Sequence, residues 1–454
     1  MQLTIEKLIY GGDGLARLPQ PESQPGAAVP QAAVPQPHPG PGKAVFVPFV
    51  LPGERVEARI VEEKPGFARA LAGEILTRSP LRTEPQCPYF GYCGGCHYQH
   101  TGYEHQLAIK TQILKETVRR LGHVELPEVA VHPSPPWNYR NRTRMQVHGG
   151  RNFVLGYFRW GSRDLLPVEQ CPISSELINR AIAALWELGR AGQVAEKILE
   201  IEFFANAEDT QLLVEINLPD GYWTDRSRPT PVDTVTALRA ALPAIEGVAV
   251  FKKVQDGSLV REEVPKKLRE VFGENELEYH AAHAIYQVSA GSFFQTNRFL
   301  TDELVRLAIQ DRTGSHALDL YAGTGLFSLP LAQAFERVTA VEAAPFAAHD
   351  LKHNAPGNVA VLRETTEKFL SGLEDDASAD FVLVDPPRAG LGEKVTRKLA
   401  ALAPRRLTYV SCDPATLARD LRVLAEGGYR VTQAHLVDLF PQTFHMESVV
   451  GLSH

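Results

Sequence analysis

The 454-residue chain has no run of eighteen apolar residues, so it offers no candidate membrane-spanning helix. Its start, MQLTIEKLIY, lacks the basic, apolar and cleavage regions of a signal peptide, so a cytoplasmic location is expected, where thiols stay reduced. No internal repeat stands out. Cysteine is scarce: there are five, an odd number for a disulfide framework but suited to four metal ligands plus one reactive thiol. With 44% hydrophobic and 22% charged residues, the composition excludes wholesale disorder and the collagenous and disulfide-rich classes. The net charge of −7 argues against a protein that coats nucleic acid by charge alone, yet leaves room for a local basic patch. The length suggests two to four domains.

Residues 1–76 read as β. Short alternating runs (LTIEKLIY, AVFVPF, ERVEARIVEE, ARALAGEIL) are separated by GGDG, LPGE and KPG turn signals, which suggests a small closed barrel of the OB type. Residues 19–42 are Pro-, Ala- and Gln-rich and read as an extended loop between two barrel strands. A helix is expected from Tyr103 to Leu121, stopped by Gly122. Residues 77–280 form the expected α+β central domain, with strands at MQVHGG, FVLGYF, ILEIEFF and LLVEINL and a helix at SSELINRAIAALWELGR. Over residues 281–454, strand candidates HALDLY, VTAVE, VAVLR, FVLVD and LTYVSC alternate with helical segments. This is the pattern of a doubly wound parallel sheet, and TQAHLVDLF and ESVVGL lie close enough to make a terminal antiparallel hairpin, seven strands in all.

The first strand of that sheet runs into DLYAGTGLFS. Gly323 and Gly325 permit a tight turn and close approach of backbone to a ligand. Glu342 ends the next strand, where an acid can hold two ribose hydroxyls. The third glycine of the dinucleotide fingerprint is missing, because Ser328 stands there. The pattern resembles class I methyltransferases, which bind S-adenosylmethionine, and the terminal hairpin is the usual addition to that fold. VLVDPPRAGL then places Asp385 at the carboxyl end of a strand, the edge where such sheets bind ligands. No aromatic residue follows the prolines to stack on an amino-bearing base; Arg388 stands there instead.

YVSCDPATLARDL puts Cys412 at the same edge. A lone cysteine after a strand is more often a small buried apolar residue than a nucleophile, but its place beside a methyl-donor site reverses that preference. Uracil C5 is too poor a nucleophile to take a methyl group unaided. A thiolate adding to C6 turns C5 into an enolate carbon that can attack a sulfonium methyl. The start of a helix near Asp413 favours the thiolate, whereas the Asp413 carboxylate opposes it. The adduct must then lose its C5 proton, and LFPQTFHMESVV offers two bases, His445 and Glu447, which chemistry alone ranks about equally.

DLYAGTG, VDPPRAG, SCDPATLARD and FPQTFHMES, with the front barrel and cysteine cluster, resemble the RNA uracil-C5 methyltransferase family, specifically its ribosomal RNA branch. The likeness covers nearly the whole chain and implies a TRAM module in the first 76 residues. It implies that Cys412 is the nucleophile and Glu447 the proton acceptor. It also implies that Gln295, Tyr321, Glu342 and Asp385 bind the methyl donor and that Phe293 stacks on a flipped uracil. Members commonly have Asn where Asp413 stands, and the contact after the third strand has only Thr365 as its nearest equivalent.

CPYFGYCGGC supplies Cys87, Cys93 and Cys96, with Cys171 far downstream. Three close thiols plus a distant fourth suit a tetrahedral zinc or an iron–sulfur cube, and spacing alone leaves these equal. The resemblance implies a [4Fe-4S] cluster held by all four. Residues 137–163 carry six arginines, six aromatics and no acid, a local charge of +6 that leaves −13 for the rest. That mixture is expected to bind folded or single-stranded RNA.

The implied activity is methyl transfer to a uridine of 23S ribosomal RNA by a monomer with no membrane partner. A transfer RNA substrate is the alternative. A cytosine-C5 enzyme is disfavoured because DPPRAG lacks a second cysteine, and a non-catalytic iron–sulfur RNA-binding protein because Cys412, Glu447, Asp385 and Gln295 are all present.

Overall fold

A computed structural model describes residues 1–18, 42–219, 229–253, 266–373 and 378–454. The Pro-rich stretch expected to loop from 19 to 42 lies, except for Gly42, outside the described residues.

The amino-terminal strands Gln2–Thr4, Lys7–Leu8, Gly14–Arg17, Ala44–Val47, Arg55–Glu63 and Phe67–Thr77 form one six-stranded sheet. Its two edge strands, Gln2–Thr4 and Lys7–Leu8, are consecutive in the chain and joined by two residues, so the sheet curls on itself. The run LTIEKLIY breaks there because its backbone changes partners: Ile5 N–H donates to Glu54 O and Glu6 N–H to Leu15 O. Bulges in the pairing of Arg55–Glu63 with Phe67–Thr77 supply curvature. Val56, Ala58, Ala68 and Ala70 alternate inward with Leu3, Val45 and Val47 to fill a small core.

The central part holds a seven-stranded sheet in the order Leu165–Pro167, Val154–Phe158, Arg142–His148, Glu200–Ala205, Leu212–Leu218, Ile245–Lys253, Lys266–Gly273. Only Leu212–Leu218 and Ile245–Lys253 run parallel, and the helix Pro231–Ala241 makes the crossover that parallel pairing requires. The helix Glu176–Arg190 starts where Ser175 Oγ accepts from Ile178 N–H, and it buries Ile178, Ile182, Leu185 and Trp186 against this sheet. LLVEINL is the strand Leu212–Leu218, as expected, but the crossover helix and the two strands after it, Ile245–Lys253 and Lys266–Gly273, were not anticipated from the sequence.

The carboxyl-terminal sheet has eight strands where seven were expected. Its order is Val359–Leu362, Phe335–Val341, Gly314–Leu320, Phe381–Val384, Arg406–Ser411, Glu447–Ser453, Arg430–Val437, Val129–His132. The first five are parallel, and Glu447–Ser453 runs antiparallel to both neighbours. The eighth strand comes from residues assigned by sequence to the central part. The outer edge of Arg430–Val437 would otherwise expose unpaired backbone groups, and Val129–His132 covers it in parallel register. The helix Tyr103–Thr117 also packs on this sheet, through Ile109, Ile113 and Leu114. It ends earlier than expected, because Val118–Gly122 widens into a π-helical turn. Gly122 there meets the backbone of Ala418, and a Cβ would lie 2.7 Å from that carbonyl oxygen. No helix among the described residues is long and apolar enough to cross a membrane.

Candidate active site

Strand order reverses between Gly314–Leu320 and Phe381–Val384, which opens a crevice at their carboxyl ends. Tyr321, the residue after the first of these strands, has φ +64°, a left-handed conformation that turns the chain sharply over the strand end. Gly323 follows with φ +56° and no atom within 4 Å of where a Cβ would stand, so its backbone is open to a ligand. Glu342 is tied to this turn, its carboxylate accepting from Gly323 N–H at 2.9 Å and Ala344 N–H at 2.6 Å. Thr365, the nearest candidate for a further donor contact, caps the short helix Thr366–Ser371 by accepting from Lys368 N–H.

Below the crevice lies Asp319, fully buried, with Ser328 Oγ donating to Oδ2 at 2.5 Å and Oδ1 without a partner. The serine that replaces the third glycine therefore serves a buried acid. Burial, reinforced by Glu342, raises the Asp319 carboxyl to about 7. Burial and the neighbouring Asp319 raise Asp385 to about 7 as well.

Cys412 stands between the strand Arg406–Ser411 and the helix Pro414–Glu426. Asp413 caps that helix, its carboxylate accepting from Ala415 and Thr416 N–H. Ser411 pairs across the sheet with Ser448, so Cys412 and Glu447, one step along each strand, share the same edge. Burial pushes the Cys412 thiol up to about 12; Glu447, Asp385 and Asp413 add to the rise and Arg388 opposes it. Glu447 is buried, and desolvation and Asp385 hold its carboxyl well above the usual range, again opposed by Arg388. The His445 ring lies 3.4 Å from an Arg388 nitrogen, and burial with that charge lowers it to about 3. Arg388 is the residue that sequence reasoning undervalued. It was read as a missing aromatic, yet it is the cation that faces both the thiol and the buried carboxyl.

The loop carrying Phe293 and Gln295 is held from the central sheet. Arg142 donates to Ser292 O at 2.5 Å, Gly291 N–H donates to Glu215 at 2.6 Å, and Asn141 N–H donates to Thr296 O. Gln295 is buried, and Phe293 is 64% exposed.

The basic stretch 137–163 departs from expectation. Arg142 bonds to Glu202 and Glu215, and Arg144 to Glu202, so two of its six charges are neutralised within the protein. Tyr139 is buried with its hydroxyl on Pro441 O, Phe153 packs edge-on against Trp186, and Trp160 packs against Phe49. Phe158 is the only exposed aromatic of the six, with Arg151, Arg159 and Arg163 exposed beside it in sequence.

Cys87, Cys93, Cys96 and Cys171 line one cavity of about 340 Å³, and none is in a disulfide. Among the described residues, no group of three or more His, Cys, Asp or Glu side chains is arranged to hold a metal ion. Burial raises the thiols of Cys87, Cys93 and Cys96, that of Cys93 to about 11. Gln99 Oε1 accepts from Cys87 N–H, while its Nε2, buried in the lining of the same cavity, has no partner.

The profile of the tRNA (Uracil-5-)-methyltransferase family matches residues 102–454, and that of the TRAM domain matches residues 1–72. An uncharacterized RNA methyltransferase of Aquifex aeolicus is 32% identical over 461 residues, covering 100% of this chain and 98% of its own. The 23S rRNA (uracil(1939)-C(5))-methyltransferase RlmD of Pectobacterium atrosepticum is 32% identical over 431 residues, covering 91% and 89%. Among solved structures, the Pyrococcus abyssi tRNA (uracil-54, C5)-methyltransferase in complex with S-adenosyl-L-homocysteine is alike in fold. Its TM-score is 0.73 over 100% of both chains, at 22% identity. The chain belongs to the tRNA (uracil-5-)-methyltransferase family, and it is an RNA (uracil-C5) methyltransferase with an amino-terminal TRAM domain.

Proposed function

We propose that this enzyme methylates C5 of a uridine in 23S ribosomal RNA, with Cys412 as nucleophile and Glu447 as the base that completes the reaction. The observation that carries the mechanism is the register Ser411–Ser448, which sets the Cys412 thiol and Glu447 carboxyl at one edge of the sheet, above Asp385 and facing Arg388. S-adenosylmethionine supplies an electrophilic methyl group when bound. Tyr321, Glu342, Asp385 and Gln295 would hold it along the crevice, with Glu342 on its ribose hydroxyls. The target base must leave its RNA fold to reach Cys412, and the exposed ring of Phe293 offers it a stacking surface.

Cys412 releases its thiol proton to solvent and adds as the thiolate to C6, and the π pair of the C5=C6 bond moves to make an enolate. C5 takes the methyl group with its enolate pair, and the pair of the broken S–CH3 bond stays on the donor's sulfur, which leaves as a neutral thioether. Glu447 removes the C5 proton, the pair from that C–H bond re-forms C5=C6, and the Cys412 sulfur departs with its electrons. Burial and the neighbouring carboxylates favour the protonated form of both the thiol and the carboxyl. Arg388 is the side chain that favours the ionised form of each. His445 is the weaker base candidate, because burial and Arg388 lower its affinity for a proton, whereas that of Glu447 is raised.

We also assign Cys87, Cys93, Cys96 and Cys171 to a [4Fe-4S] cluster. A single zinc needs four thiolates converging on one point at about 2.3 Å, whereas each iron of a cube takes one thiolate from outside. Four thiols around one cavity support the cube, and the unpaired Gln99 Nε2 offers a donor to a sulfur. The cluster would fasten the segment 87–96 to the central sheet.

The relative RlmD supports ribosomal RNA as substrate; the fold likeness to a tRNA enzyme keeps tRNA as the second reading. Purified enzyme with labelled S-adenosylmethionine is offered 23S rRNA and tRNA transcripts, and the product nucleoside is identified by mass. 5-Methyluridine in the rRNA alone is the expected result. Label entering tRNA alone overturns the substrate assignment.

A further inference from the structure

The tip of the amino-terminal sheet reaches into the active site. Leu8 is buried in the core shared with the methyltransferase sheet, and Lys7 pairs with Glu116 on the helix Tyr103–Thr117. Gly11 and Gly12 follow at φ +107° and +91°; a Cβ on Gly12 would lie 3.0 Å from His97. Only glycine permits that close approach. It places Tyr10 between the two segments that carry the chemistry. The Tyr10 hydroxyl donates to Cys412 O at 3.3 Å, across 402 residues of sequence. Its ring meets Phe444 edge-on, with centroids 5.5 Å apart at 88°. Phe444 belongs to the loop that leads into Glu447, and that loop is also bonded from behind, where His97 and Tyr98 N–H both donate to Gln442 O.

We propose that Tyr10 is a positioning residue for methyl transfer: it fixes the peptide after the nucleophile and braces the loop before the base. The thiol and carboxyl would then be in register only while the TRAM domain is seated on the methyltransferase domain. The residues on either side of Cys412 are held by their own bonds, Ser411 O accepting from Ser448 Oγ and Asp413 O from Leu417 N–H, and Tyr10 takes hold of the carbonyl between them. Burial and Asp413 raise the Tyr10 hydroxyl, so it remains a donor at every physiological pH. RNA docked on the barrel would thus be felt at Cys412 through a single side chain. The inference rests on the reading of Cys412 as nucleophile.

The test uses full-length Tyr10→Phe, Tyr10→Ala and Cys412→Ala with RNA and S-adenosylmethionine in single turnover. Tyr10→Phe keeps the ring and removes the hydroxyl. The expected result is a methyl-transfer rate at saturating RNA lowered roughly three- to tenfold, with RNA affinity unchanged. Tyr10→Ala should lower the rate further and also slow release of the covalent adduct. An unchanged saturating rate in Tyr10→Phe overturns the proposal, as does a loss confined to RNA affinity. A lowered melting temperature with an unchanged rate overturns it too, since that marks a merely structural contact. If Cys412→Ala turns over, the nucleophile assignment has failed; if it is dead while Tyr10→Phe matches wild type, only the positioning role has failed.

Discussion

Replacing Asp319 by Asn should favour the folded protein, relative to wild type, distinctly more at pH 8 than at pH 5. A carboxyl that titrates near 7 instead of 3.8 costs the folded state about 4 kcal/mol once ionised, at 1.36 kcal/mol per pH unit. Between those values the folded protein keeps a proton that the unfolded chain has released, so this residue's contribution falls as pH rises and levels off above 7. Asn keeps an acceptor for Ser328 Oγ but puts an amide N–H where Oδ1 has no partner, at a cost of about 1–3 kcal/mol. About 1.6 kcal/mol of that penalty is already present at pH 5, so the replacement lies between a gain of about 0.6 and a loss of about 1.4 kcal/mol there, against a gain of about 1–3 kcal/mol at pH 8. The raw pH profile of the wild type would not reveal this. His97 and His100, lowered to about 4, and His445, lowered to about 3, leave the unfolded chain holding more protons below about pH 6.5, so their contribution rises with pH. The difference between variant and wild type at one pH isolates Asp319. The ratio of variant to wild-type hydrogen-exchange rates for the amides in Gly314–Leu320 should be roughly 50–100-fold lower at pH 8 than at pH 5. An effect of the same sign and size at both values would refute the buried-acid reasoning.

Arg142→Met takes the shared cation from buried Glu202 and Glu215, which keep Arg144 and Lys266, and should cost about 1–3 kcal/mol in denaturant unfolding, whereas Arg163→Ala should fall within about 0.5 kcal/mol and weaken RNA binding with a shallower salt dependence. Cys171→Ser should lower bound iron and the visible absorbance of anaerobically purified protein, and full iron content would remove it from the ligand set. Glu342→Ala should weaken S-adenosylmethionine binding in calorimetry while leaving RNA affinity intact, because the loss is confined to the ribose contact and to two backbone N–H groups of the turn.

What was legible in the sequence was local. The turn at Tyr321–Gly325, the acids at strand ends, and Cys412 before a helix cap each declare themselves within a dozen residues, because strand, turn and helix chemistry are set over that range. The shared edge of Cys412 and Glu447 also followed from sequence, since an antiparallel last strand must begin where the parallel strands end. The rest depended on partners far along the chain. The arginines at 142 and 144 look free until Glu202 and Glu215, beyond a helix and a turn, fold back beside them. The eighth strand is four residues that gain order from an edge elsewhere. Tyr10 reads as a hairpin residue, and nothing near it in sequence announces Cys412.

The central claim is that Cys412 forms, and Glu447 resolves, a covalent bond to the uracil ring. Glu447→Gln, incubated with S-adenosylmethionine and substrate RNA and then run under denaturing conditions, tests it most directly. The account predicts a protein–RNA adduct carrying the transferred methyl group, which disappears when Cys412→Ala is added to the same variant. An impaired Glu447→Gln with no adduct, or an adduct that survives the loss of Cys412, would contradict it.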